Sequence, residues 1–202
     1  LETHISWVLL AGPQAVKFKK PLNLGFLDFG TLAQRRAACE EELRINQRTA
    51  PALYQAVVAL VGPATAPRLV LLQEVQAGDA VLEYGVQMQR FGAGQLLAEQ
   101  LAAGTLQVQH LDVLAGRVAA LHASAAPAPP GSPWGTATLV RQQAQDNFTA
   151  LAALPLPHAD RQTLQALADW TQREGERLQP LMAARHAAGQ VRECHGDLHL
   201  GN

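Results

Sequence analysis

The 202-residue sequence predicts an α+β fold, and two features carry the prediction. Up to Met88, short runs of β-branched and aromatic residues alternate with turns marked by Gly and Pro, interrupted by one helical stretch. Beyond Met88 the apolar residues adopt helical spacing almost to the C-terminus. A β-rich lobe over residues 1–88 and a helical lobe over 89–202 are therefore expected.

The elements can be justified in order. Residues 5–10 (Ile-Ser-Trp-Val-Leu-Leu) are β-rich and run into a turn at Gly12-Pro13. Residues 15–19 alternate and form the returning strand of a hairpin, which Lys20-Pro21 ends. Residues 21–30 make a connection punctuated by Gly and aromatics. Thr31 is a fair N-cap for a helix over 32–49. That helix carries three consecutive acids, Glu40, Glu41 and Glu42, of which one can face inward while the others stay wet. Strands are expected at 56–61, 68–76 and 80–88, the last two around the hairpin signal Ala77-Gly78-Asp79. Helices follow near 94–103, 106–124, 140–153 and 159–188, with a Pro-rich loop at 127–135 and a stop at Gly189. Residues 191–194 read as a short strand entering the C-terminal loop.

Composition narrows the function classes. Hydrophobic residues make up 48% and charged residues 16%, enough for a packed core. A net charge of −1 argues against binding nucleic acid or a membrane surface by bulk charge. No apolar run reaches membrane-spanning length, and no basic-then-apolar leader opens the chain. Cys39 and Cys194 lie far apart without metal-ligand spacing and read as buried, reduced thiols of a cytoplasmic protein.

The chemistry concentrates at the C-terminus, in His195-Gly196-Asp197-Leu198-His199-Leu200-Gly201-Asn202. A His two before an Asp, with an Asn five after it, is the spacing of a phosphoryl-transfer catalytic loop, H-x-D-x-x-x-x-N. In such a loop the Asp orients the acceptor hydroxyl and takes its proton, and the Asn holds magnesium on the nucleotide phosphates. Gly196 and Gly201 permit the tight backbone this needs. The rival Gly-Asp-x-His-Gly loop of binuclear metallophosphoesterases requires Gly where Leu200 stands. It also requires an upstream Asp-x-His pair that the sequence lacks. The wording His-Gly-Asp-Leu-His-x-Gly-Asn resembles the catalytic loop of the aminoglycoside phosphotransferase and choline kinase group. Leu200 departs from the Pro usual there.

A second signal is the use of lysine. Of 16 basic residues only Lys17, Lys19 and Lys20 are lysines, and all fall in one window. Lys17 and Lys19 share a strand face, as residues two apart do. A compact ammonium suits phosphate in a way a guanidinium does not reproduce.

Together these pieces resemble a bacterial family of aminoglycoside-phosphotransferase-like proteins with a protein-kinase-like fold, often joined to a C-terminal P-loop ATP-binding domain. The matching stretches are Glu2-Thr3-His4-Ile5-Ser6-Trp7-Val8, Lys17-Phe18-Lys19-Lys20-Pro21, Gly25-Phe26-Leu27-Asp28-Phe29, Glu42-Leu43-Arg44-Ile45-Asn46, Glu83-Tyr84-Gly85-Val86-Gln87-Met88 and Val191 to His199.

The resemblance implies a two-lobed kinase-like fold, without its first strand and truncated within the active site. It implies a Mg-ATP-dependent transfer of the γ-phosphoryl group to a small-molecule hydroxyl, which fold and loop do not identify. Lys17 would contact phosphate, with Lys19 as understudy, and Glu42 would hold the lysine. Thr3 and Ser6 would cover the phosphates, and Met88 would open the adenine hinge over 88–91. Asp197 would be the catalytic base and Asn202 a magnesium ligand. His195 would brace the loop, and His199 would be structural or touch substrate. The second metal-binding Asp of kinases would lie past residue 202, so this stretch alone is expected to have no useful turnover. The alternative is a non-catalytic nucleotide-binding module that regulates a fused P-loop domain. Intact Lys17, Asp197 and Asn202 speak against it.

Overall fold

The computed structural model describes residues 1–25 and 27–200. It is α+β, and among the described residues its strands form one five-stranded antiparallel sheet in the order β1-β2-β5-β3-β4. The strands are β1 (Ser6–Ala11), β2 (Gln14–Lys19), β3 (Tyr54–Val61), β4 (Arg68–Leu71) and β5 (Val81–Gln89). The helices are α1 (Leu32–Asn46), α2 (Leu97–Ala102), α3 (Val108–Ser124), α4 (Ala137–Ala152) and α5 (His158–Ala187).

Thr31 caps α1 reciprocally with Gln34. The Thr31 hydroxyl accepts from the Gln34 N–H at 3.2 Å, and the Gln34 amide oxygen accepts from the Thr31 N–H at 2.8 Å. Helix α1 connects β2 to β3, and β5 lies between those strands, antiparallel to both. β2 and β3 therefore run the same way, and α1 is the crossover of a split β-α-β unit. It packs on β5 and β3, where Cys39 joins Val57, Ala59, Val61, Tyr84 and Val86 in the main core. The opposite sheet face carries a smaller cluster, Val16, Phe18 and Val58. Gly85 belongs there because a Cβ would meet Val16 Cγ1 at 2.9 Å and the Phe18 ring at 3.0 Å.

Two expected strands are shortened, each for a local reason. The 68–76 stretch stops at Leu71 and turns through a 3-10 segment, Leu72–Glu74, whose Glu74 carboxylate accepts the Leu71 N–H at 3.1 Å. Residues 191–194 make one bridge pair, Pro127 with Arg192. Their partner segment contains Pro127 and Pro129, which lack the N–H a ladder needs.

The chain divides into two compact units. The first runs from Leu1 to Arg117 and includes the chain from His195 onward; the second is Val118–Cys194. The sheet, α1 and α2 belong to the first. In the second, α4 and α5 pack on each other as an αα-hairpin joined by a short loop. No helix among the described residues is long and apolar enough to cross a membrane.

Candidate functional site

Strand periodicity turns Lys17 and Lys19 toward α1. Helical periodicity turns Arg35, Cys39 and Glu42, which stand at i, i+4 and i+7, toward the sheet. Of the three adjacent acids, Glu40 pairs outward with Arg36 at 3.0 Å and Glu41 with Arg44 at 2.6 Å. Glu42 faces the sheet, with its side chain only 11% exposed. Its Oε1 accepts from Lys17 Nζ at 2.9 Å and its Oε2 from Lys19 Nζ. The Asn46 amide donates to the Glu42 backbone carbonyl at 2.8 Å, one turn on. The structure thus gathers Lys17, Lys19 and Glu42 into one cluster.

The electrostatics follow from burial and charge. Burial alone would raise the Glu42 pKa, but the Lys19 and Lys17 ammoniums outweigh it and hold the carboxyl below its ordinary range. Tyr54 is pushed up to about 12, by burial first and then by the Glu42 charge. Burial likewise pushes the Cys39 thiol up to about 12, and its Sγ lies 3.6 Å from the Tyr84 carbonyl.

Cys194, expected to be buried, is exposed, because it leaves the bridge at Arg192 for the open C-terminal loop. The thiols should therefore differ sharply. An aromatic disulfide reagent at neutral pH is expected to titrate Cys194 alone in the folded chain and both cysteines after denaturation. Rapid labelling of Cys39 in the folded chain would contradict this packing.

One ion pair escaped the sequence reading. Arg35 Nε donates to both Glu83 carboxylate oxygens, at 2.8 and 2.9 Å, and its Nη1 donates to the Phe29 carbonyl at 2.9 Å. It fastens α1 to β5 and to the connection after β2. The available signal was the seven-residue interval from Arg35 to Glu42, which places both on one helix face.

The N-terminal loop is closed on itself. The Thr3 N–H donates to the Ser6 carbonyl at 2.8 Å, and the Ser6 N–H donates to the Thr3 hydroxyl at 2.9 Å. Ser6 pairs across strands with Lys19 and is fully buried. Its hydroxyl has no partner among the described residues and faces inward rather than lying on the loop surface. Met88 sits between Ala15 of β2 and Tyr54 of β3, half-buried against the main core.

In the C-terminal loop, Gly196 adopts φ +81°, a left-handed conformation that favours glycine. The bend lets the half-buried His195 accept the Asp197 N–H at its Nδ1, 3.3 Å away. The Asp197 carboxylate is 81% exposed, and its Oδ2 lies 3.9 Å from His199 Nε2. The Leu200 carbonyl accepts the Ala98 N–H at 3.0 Å, tying the loop to the start of α2. Asn202, the expected magnesium ligand, lies outside the described residues, as do Gly201 and Phe26 of the sequence motifs.

Comparison with known proteins adds relatives but no activity. No protein-family model and no solved structure matches the chain. Over 121 residues it is 36% identical to proteins named only as uncharacterized, from Mycobacterium tuberculosis strain H37Rv and from Mycobacterium bovis. The match covers 60% of this chain and 22% of each relative, so the chain spans under a quarter of the relatives' length.

Proposed function

We propose that the chain is the nucleotide-binding and catalytic-loop portion of a Mg-ATP-dependent phosphotransferase of the aminoglycoside-phosphotransferase-like, protein-kinase-like type. It would act on a small-molecule hydroxyl. The observation that carries the reading is the Lys17–Glu42 ion pair, which joins a sheet strand to the helix that follows it. A strand lysine held by a helix glutamate is the arrangement kinases need to grip nucleotide phosphates. The loop His195-Gly196-Asp197, with Asn202 five residues after the Asp, supplies the second half of the pattern.

The surroundings of Lys17 fit a nucleotide. Directly opposed residues of antiparallel strands share a sheet face. Val8 opposes Lys17, Leu10 opposes Ala15, and Ala15 opposes Met88. Val8, Leu10, Ala15 and Met88 therefore make an apolar patch on the sheet face that carries Lys17. Ala15 is roughly 7 Å from Lys17 along the strand. A flat base on the patch and phosphates at the ammonium would use both. In this reading the Asp197 carboxylate takes the proton of the acceptor hydroxyl, and its exposure leaves it open to an acceptor. His195 fixes the Asp197 backbone, and Asn202 would contribute to holding magnesium. The metal supplies charge neutralisation on the phosphates when bound. A fused P-loop domain is the partner the family resemblance suggests.

The test is binding of a fluorescent ATP analogue to the chain beside Lys17→Met. Loss of one charge-assisted phosphate contact should weaken affinity by roughly ten- to a hundredfold. Equal affinity in parent and variant would remove Lys17 from the site.

A further inference from the structure

Glu42 is shared by two lysines, and the two are not equivalent. The Lys19 side chain is 8% exposed and that of Lys17 is 28% exposed. Lys19 is enclosed from several sides. The Phe29 ring lies 5.4 Å from its Nζ, Ser6 is its fully buried cross-strand neighbour, and Glu42 accepts its hydrogen bond. Lys17 has the same carboxylate as partner but is the more exposed of the two, on the sheet face it shares with its cross-strand neighbour Val8. Two ammoniums on one carboxylate leave a net positive charge in a mostly desolvated cluster, a state that favours an incoming anion.

We propose a division of labour between the two lysines. Lys19 is the permanent clamp that keeps Glu42 paired, and Lys17 is the exchangeable cation that turns to phosphate when nucleotide binds. This rests on the nucleotide reading above and assigns Lys19 a positioning role within it. With a single lysine, engaging phosphate would compete with the only ion pair holding the glutamate. With two, Glu42 never stands as an unpaired buried charge, and α1 stays fixed to the sheet while Lys17 is engaged. Lys20 is separate from the cluster. It pairs with Glu2 at 2.5 Å and lies over the Trp7 ring at 5.6 Å, so it serves as an internal control.

The chain has only three lysines, so isotope-labelled lysine gives three side-chain NMR signals, assignable with K17R, K19R and K20R. Saturating ATP, and separately inorganic tripolyphosphate, should shift the Lys17 signal most, move Lys19 less because it keeps Glu42, and leave Lys20 in place. Lys19→Met should weaken ATP binding by roughly tenfold, because Lys17 becomes the sole partner of Glu42. A Lys19 shift equal to or larger than that of Lys17 would overturn the division of labour while leaving nucleotide binding intact. So would unchanged ATP affinity in Lys19→Met, with the fold retained by circular dichroism. No binding of ATP by any method would remove the nucleotide reading and the division of labour with it.

Discussion

Replacing Glu42 by Ala is expected to cost about 3–5 kcal/mol of folding free energy, the range for breaking a buried ion pair from one side. The substitution leaves Lys19 enclosed beside Phe29 with no carboxylate. Lys17 can turn toward solvent, so its share of the loss is smaller. Urea unfolding of parent and variant at neutral pH measures the difference. The acid limb gives an independent check. Glu42 titrates below the ordinary glutamate value of 4.5, despite burial, because Lys19 and Lys17 favour its ionised form. Its stabilisation is therefore complete above that value and is lost as pH falls through the lower folded-state value. The parent should lose stability in that window, and Glu42→Gln should lack this component. A change below about 1 kcal/mol in Glu42→Ala would mean that the two lysines do not depend on it.

On the phosphotransferase reading, Asp197→Asn in the whole protein should lower the rate of phosphoryl transfer by roughly 10²- to 10⁴-fold, the range for losing a general base. The variant is informative because little else should change. The Asp197 side chain is exposed, its Oδ2 is 3.9 Å from His199 Nε2, and its link to His195 runs through the backbone N–H, which Asn retains. Folding stability and nucleotide affinity should therefore stay near the parent's, and the loss should fall on kcat rather than on KM. An equal loss of nucleotide affinity would move Asp197 from proton transfer to binding. An unchanged rate would remove it from the reaction.

The fold was legible wherever one periodicity dominated. The alternation in residues 15–19, the N-cap at Thr31, and the helical spacing of α3 to α5 all appear where local rules put them. The misses came where side chains compete for backbone groups or where the partner segment matters. Glu74 ends β4 early, and the prolines opposite Val191 to Cys194 leave a single bridge in place of a strand. Sheet order was not legible, because nothing local to β5 says that it inserts between β2 and β3.

At the site, the shared face of Lys17 and Lys19 followed from strand periodicity. The seven-residue interval from Arg35 to Glu42 held the inward direction of the helix, although three adjacent acids obscured which one it concerned. That one carboxylate serves both lysines, and that Arg35 reaches Glu83, are facts of tertiary packing with no counterpart in local sequence. The inward turn of Ser6 is of the same kind, since it depends on the register that sets Ser6 opposite Lys19.

The most direct test of the phosphotransferase reading is ADP release by the whole protein with Mg-ATP, across a panel of small hydroxyl compounds, beside Asp197→Ala. The reading predicts ADP formation that depends on at least one acceptor and disappears in the variant. Nucleotide binding with equal, acceptor-independent ADP release in parent and variant would contradict it and favour a nucleotide-binding module that regulates rather than catalyses.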